Sequence, residues 1–453
     1  MQLSTTYKQI LSISIPIMLG SAAQNIIVLC DNVFLYHVSK EDFAAVGLVG
    51  VFYLIIASIG YGFSRGGQIL IARRHGEGSY KSAGDYFKAL FMFELVMAVG
   101  VFLFLQLGSA WFFGNFVENP NIYEKCLQYI YPRSYGVFFS YLGVALVAFY
   151  TGIARTKFII YDTIVLIIVN IFLNYIFIYG KFGIEPMGIA GAGWASTLSE
   201  VVAFIAFVFM MLSDDTNLKK YKIFSFDKVK FPLVRQTFDI SAPIVWQSVL
   251  GLGSWFIFFS LIEGMGSKEL EISNLIRNIY LILSIPCWGY STGINTLVSN
   301  FIGNRKRQAV IPITIKTAKL NLCSTMLVAI PVAVFPEFFL YPLFGGATGA
   351  MTEGSISLLA EAKPLLPLLV MILATFAVGS TFMNGLTGTG HTRTALWIQS
   401  IFVALYVVYS IIVIKYLKLS LYWAWGVEIF YWLGILGVVY WYLVSKKWHI
   451  KKF

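Results

Sequence analysis

The stretch Gly62–Gly78, GFSRGGQILIARRHGEG, is written a second time at Gly289–Arg305 as GYSTGINTLVSNFIGNR. Gly62, Ser64, Gly66, Leu70 and Gly76 recur as Gly289, Ser291, Gly293, Leu297 and Gly303, all at one constant displacement that is half the length of the chain. Pro16 meets Pro243 at the same displacement, so the register holds from the start of each half to its second apolar segment. A constant period of this kind governs the fold, because each copy must build the same unit.

Hydrophobic residues make up 58% of the chain and charged residues only 12%, about half the usual charged share of a soluble domain. The chain therefore reads as an all-α, polytopic membrane protein. At about 20 apolar residues per span, the first half supplies helices near 10–38, 44–72, 86–113, 130–150, 163–179 and 188–212. The second half supplies 238–264, 271–302, 311–340, 363–386, 395–414 and 421–444. We expect twelve transmembrane helices in two six-helix lobes, residues 1–213 and 236–453, joined by a cytoplasmic linker over 214–235.

The net charge of +11 is distributed one-sidedly. Arg73, Arg74, the lysines of the linker, Arg305, Lys306, Arg307 and the lysines after Ser445 fall on even-numbered loops or the C-terminus, whereas Lys40, Lys125, Lys181, Lys268, Lys415 and Lys418 fall on the other side. Excess positive charge stays in the cytoplasm, so both termini are expected there, in a cell (inner or plasma) membrane. The basic residues orient the chain in a lipid bilayer rather than bind nucleic acid. Six spans per half return the chain to its starting side, so the halves form a parallel repeat about an axis normal to the membrane.

An ionisable residue inside a span costs about 2.5 to 3.5 kcal/mol on insertion scales, which makes each one a functional candidate. Asp31 lies about six residues from the outer end of the first span, roughly 9 Å deep. Gln24 stands two turns earlier on the same face. The fifth span carries Asn170 and Asn174 one turn apart, with Asn174 at a matching depth. Ser196 of the sixth span reaches a similar level, with Thr197 beside it, and Glu200 follows one turn deeper. A carboxylate, two amides and a hydroxyl at one level could hold a proton or a small hard cation. The structural alternative is a solvated acid and asparagines that join helices. Glu200 reads either as a second titratable group or as the partner of an amide on a neighbouring helix. Glu94 and Glu428 read as structural pairs, and Arg277 as a side chain reaching for the interface.

The motifs of soluble enzymes are missing. No Gly-rich loop precedes Lys and Ser or Thr, as a built-in ATPase requires. His37, His75, His391 and His449 are dispersed over loops and span ends, and the four cysteines lack metal spacing. The chain reads as no enzyme, with no cofactor. A gradient-driven process is favoured over chemistry.

Four stretches resemble the multidrug and toxic compound extrusion (MATE) family: Ile15–Ser39, Gly62–Gly78 with its echo, Asn170–Thr197, and NGLTGTGHTRTA at Asn384–Ala395. The resemblance covers essentially the whole chain. It implies a monomeric antiporter that exports amphipathic or cationic drugs and toxins in exchange for protons or sodium ions. It assigns cation coupling to Asp31, Asn170, Asn174 and Ser196 and a helix bend to Pro16; by their own positions Gln24, Thr197 and Glu200 are additional candidates. If sodium is the coupling ion, Asp31, Asn170 and Asn174 are its ligands. Some members also carry acids in the seventh and tenth spans; here those spans offer Gln247, Ser254, Thr375, Ser380, Thr381 and Asn384 instead.

Three other classes compete. A lipid-linked oligosaccharide flippase of the same wider superfamily would need several basic residues in a cavity, and Arg277 and Arg65 are the candidates. A major-facilitator carrier would show an Asp-Arg motif after its second span. A membrane-embedded transferase would need clustered His or acidic residues on one cytoplasmic face.

Overall fold

The computed structural model describes residues 3–214, 219–223, 230–339 and 353–449. Among these residues it is built of helices joined by short turns. The first half contributes α1 (Tyr7–Tyr36), α2 (Lys40–Gly76), α3 (Tyr80–Phe116), α4 (Pro120–Gly152), α5 (Lys157–Tyr179) and α6 (Gly188–Ser213). The second contributes α7 (Phe231–Glu263), α8 (Ser267–Leu283), α9 (Ile285–Gly303), α10 (Val310–Val334), α11 (Glu353–Ala362), α12 (Leu366–Gly388), α13 (Thr392–Ile411), α14 (Leu421–Trp425) and α15 (Val427–Val444). Ten segments among the described residues are long and apolar enough to cross a membrane. With α1, and with α8 and α9 taken as one broken crossing, the fold is the expected twelve-span, all-α architecture.

The break between α8 and α9 departs from the single span expected over 271–302. Ser284 closes α8 and opens α9, and Pro286 occupies the first turn of α9. A proline has no N–H to give the preceding turn, so the helix restarts there. The hydroxyl of Ser284 turns back to the Leu281 carbonyl at 3.0 Å.

By contacts the chain forms two compact units, Ile15–Val245 and Met1–Ser14 with Trp246–Phe453. The division falls inside α1 and α7, close to Pro16 and Pro243, and not within 214–235. Part of 214–235 lies outside the described residues. Each unit thus includes the opening turns of the other half's first helix.

This exchange accounts for the repeated glycines. In unit Ile15–Val245, a Cβ on Gly66 would collide with Ser241, whose Cα is 2.7 Å from that position, while Ser241 Oγ donates to the Phe63 carbonyl at 2.9 Å. In the other unit a Cβ on Gly293 would stand 2.6 Å from Ser14 Oγ. Ser14 and Ser241 are themselves a pair at the repeat displacement. The motif read first from the sequence is therefore a helix-crossing motif, in which small residues let two backbones approach.

Tyr86, Phe87, Phe149, Tyr150, Phe207 and Tyr221 are buried together at one end of unit Ile15–Val245. Val46, Val49, Ile130, Val137, Tyr141 and Ile189 form its second cluster, beside the polar residues described next.

Candidate functional site

Helices α1, α4, α5 and α6 meet around one carboxylate. Asp31 stands five residues before the end of α1, and Asn174 five residues before the end of α5. Tyr179 Oη donates to the Phe34 carbonyl at 3.1 Å, which holds those two helix ends level. Helix α6 opens with Gly-Ile-Ala-Gly-Ala-Gly, and the lack of side chains draws it against both neighbours. A Cβ on Gly191 would lie 2.7 Å from the Phe177 carbonyl of α5, and one on Gly193 would lie 2.6 Å from the Tyr129 carbonyl of α4. Ser196 is thereby placed between α5 and α1.

The side chains of Asp31, Asn170, Asn174 and Ser196 form one hydrogen-bonded group, each 4% exposed or less. Asn174 Nδ2 donates to Asp31 Oδ1 at 2.6 Å and to Asn170 Oδ1 at 3.2 Å. Ser196 Oγ donates to Asp31 Oδ2 at 3.1 Å and accepts from Asn170 Nδ2 at 3.3 Å. Tyr129 Oη, which the sequence reading overlooked, donates to Asp31 Oδ2 at 3.5 Å. Asn174 Oδ1 is buried without a hydrogen-bond partner. Every donor at Asp31 is uncharged, and hydrogen bonds to a charged acceptor contribute about 1.5 to 3 kcal/mol each.

The remaining candidates lie around this group. Thr197 does not join it; its hydroxyl donates to the Pro132 carbonyl at 2.9 Å and fastens α6 to α4. The side chain of Gln24 lies outside the described ones. Pro16 is buried within an unbroken α1. Glu200 is held by a base and not by an amide: it takes both guanidinium nitrogens of Arg133, at 2.6 and 2.7 Å. The Arg133 guanidinium stacks 4.1 Å from the centre of the Tyr53 ring. A cation over a ring face, with a bidentate carboxylate at its edge, is a satisfied arrangement.

Arg133 was legible in principle. It is an ionisable residue inside the expected span 130–150, one turn beyond Tyr129, as Glu200 is one turn beyond Ser196. It also adds a buried base to the two weighed for a flippase, but Glu200 already neutralises it.

Two further buried acids of the spans accept hydrogen bonds from uncharged donors. Glu94 Oε1 accepts from Ser64 at 2.8 Å. Glu428 Oε1 accepts from Trp255 Nε1 at 2.9 Å and Tyr406 Oη at 3.2 Å. Arg277 packs 4.9 Å from the Phe259 ring centre. At the turn before α13, His391 Nδ1 meets Thr389 Oγ1 at 3.1 Å.

Twelve apolar spans written as a repeat, with polar side chains grouped deep among the helices, define the class: a polytopic membrane transporter, not an enzyme. The MatE family model matches residues 16–176 and 243–412, one stretch in each half, and the chain belongs to that family. It is 25% identical over 429 residues to the probable multidrug resistance protein NorM of Thermotoga maritima, covering 92% of this chain and 88% of that protein. To the probable multidrug resistance protein NorM of Photorhabdus laumondii it is 24% identical over 337 residues, 73% of this chain and 72% of the relative.

Among solved structures, an outward-facing multidrug resistance MATE family transporter of the MOP superfamily superposes with a TM-score of 0.86 at 18% identity, covering 98% of this chain and 97% of that one. A MOP superfamily transporter from Pyrococcus furiosus, for which reversed polarity of the binding pocket suggests a different function, matches with a TM-score of 0.84 at 18% identity over 98% and 97% of the chains. These likenesses establish the fold. Function must be argued from the polar groups the fold carries.

Proposed function

We propose that this chain is a multidrug exporter of the cell membrane, an antiporter that releases amphipathic or cationic organic compounds in exchange for entering cations. It works as a monomer with both termini in the cytoplasm. The relatives named above supply the substrate class. The observation that carries the coupling is the Asp31 carboxylate, buried among uncharged donors from three helices.

Such a carboxylate attracts a cationic substrate while charged and releases it once a coupling cation neutralises it. The donors also indicate where a proton goes. The hydroxyls of Ser196 and Tyr129 can rotate from donor to acceptor, whereas the Asn174 amide nitrogen at Oδ1 cannot accept. A proton therefore settles on Oδ2 and reverses the Ser196 or Tyr129 hydrogen bond. Sodium would instead need oxygen ligands. Turning the Asn174 amide would present its unpartnered Oδ1 beside Asp31. Pro16 permits α1 to adjust as these bonds change, because its turn lacks one backbone hydrogen bond.

Exchange of ethidium by proteoliposomes under imposed pH or Na⁺ gradients tests the reading. Efflux follows one of the two gradients, and Asp31→Asn abolishes that dependence. A variant as gradient-dependent as the parent protein rules out Asp31 as the coupling group. A flippase would show no ion-coupled ethidium efflux at all.

A further inference from the structure

The repeat identifies what stands in the second half where Asp31, Asn170 and Ser196 stand in the first. The two matched stretches begin at 16 and 243 and end at 176 and 412, so the displacement widens slightly toward the end of each half. Phe258 stands to Asp31 as 243 stands to 16, and Tyr406 stands to Asn170 as 412 stands to 176. Helix α6 starts at Gly188 and α14 at Leu421, and counting from those starts brings Glu428 within one position of the level of Ser196. The first half bonds Asn170 to Ser196, and the second bonds Tyr406 to Glu428. An acid is present in both halves, but it has moved from the first helix of its repeat to the last.

Glu428 is 3% exposed, and none of the ion pairs among the described residues includes it. Trp255 and Tyr406 both donate to Oε1, Trp432 of its own helix lies beside the carboxylate with its Nε1 unpartnered, and no hydrogen bond among the described residues reaches Oε2, which is left to take a proton. The titratable groups facing it are Tyr280 of α8, Tyr406 of α13 and Tyr431 of its own helix, while α7 contributes Trp255. The walls are rings: Phe258 lies 5.9 Å from Tyr406, Trp255 5.4 Å from Tyr280, and Tyr406 5.7 Å from Tyr431. Too few oxygens are gathered for a hard metal cation, and the packed rings leave the proton as the fitting ligand. A carboxylate with no cation beside it, in lipid-embedded helices, pays the full cost of its charge unless a proton neutralises it.

We propose that Glu428 is a second proton-binding site, taking up and releasing a proton in the transport cycle alongside Asp31. The role in transport rests on the antiport reading above; proton binding itself does not.

The test has two arms on the full chain. In the first, pH-difference infrared spectra of the purified protein follow carboxyl groups as they protonate. Glu428→Gln keeps the shape and one acceptor oxygen, and it removes a titrating carboxyl band distinct from the band lost in Asp31→Asn. Trp255→Phe retains the acid but removes a donor to the charged form, so the same band titrates at higher pH. Spectra unchanged by both substitutions overturn the proposal. In the second arm, proton entry is measured against ethidium exit in proteoliposomes, and Glu428→Gln halves the ratio. An unchanged ratio overturns a part for Glu428 in transport. A parent protein with no gradient-driven exchange sinks the antiport reading, while the infrared arm still decides whether Glu428 binds a proton.

Discussion

Glu200 grips Arg133 through both guanidinium nitrogens, one helical turn from where Ser196 and Tyr129 touch Asp31. The ion pair joins α4 to α6 at the level next to the candidate site. Their side chains are 9% and 13% exposed, so little water screens the pair. Removing one partner of a buried pair strands the other charge, at a cost of about 3 to 5 kcal/mol, whereas replacing both with apolar residues of similar volume is often neutral. Arg133→Met and Glu200→Met should therefore each lower the thermal unfolding midpoint, and the double variant should recover most of the loss. Additive losses in the double variant would show that the pair is not coupled.

Asn174 makes the shortest hydrogen bond to Asp31, 2.6 Å to Oδ1. Asn174→Leu removes a donor that favours the charged carboxylate, so the protonated form persists to higher pH. A hydrogen bond to a charged group contributes about 1.5 to 3 kcal/mol, and one pH unit corresponds to about 1.36 kcal/mol. For a proton-coupled exporter the pH of half-maximal ethidium exchange should rise by about one to two units. Ser196→Ala should shift it less, because Tyr129 still serves Oδ2. Equal shifts, or a shift to lower pH, would contradict the assignment of the proton to Oδ2.

Depth counting was enough to bring Asp31, Asn170, Asn174 and Ser196 together on paper, because helices of known rise starting from one membrane surface carry equal counts to equal depths. It said nothing about azimuth. Thr197 is adjacent to Ser196 in sequence yet faces the Pro132 carbonyl, and Arg133 pairs with Glu200 across helices whose rotation hydropathy does not reveal. The exchange of opening turns at α1 and α7 was hidden for a similar reason. Shared glycines show that two surfaces approach closely but not which surface approaches which, and only the contacts identify Ser241 and Ser14 as their partners. Pro286 was visible from the start, but an uninterrupted apolar run conceals a break that costs one backbone hydrogen bond.

The crossing motif predicts opposite outcomes for glycines that look alike in sequence. Gly66→Ala forces a methyl into Ser241, and Gly293→Ala forces one against Ser14. Overpacking of this kind costs about 1 to 3 kcal/mol. Gly100 lies in α3 with nothing within 4 Å of an added Cβ. There alanine removes only glycine's excess conformational freedom and should add about 0.5 to 1 kcal/mol. Apparent unfolding midpoints of the three variants check the ordering: Gly100→Ala at or above the parent, the other two below it.

Residues 445–449, which follow α15, are docked, not loose. Trp448 is 4% exposed and donates to the Leu443 carbonyl at 2.9 Å, while Arg307 Nη1 donates to the His449 carbonyl at 2.7 Å. Trp448→Ala should cost about 3 to 5 kcal/mol, the range for buried aromatic truncations. Partial burial, followed by the charges of Arg307 and Lys446, holds the His449 imidazole below its ordinary value. The docked segment therefore binds the histidine proton less readily than the released segment does. Its contribution is fully present above about pH 6.5, the ordinary histidine value, and is lost as the pH falls from there toward the depressed one. Hydrogen exchange of the 445–449 amides, corrected for the intrinsic pH dependence of exchange, should show protection at neutral pH that declines on acidification. His449→Phe, which cannot take up a proton, should abolish that decline, and a decline that survives the substitution would place the sensitive group elsewhere.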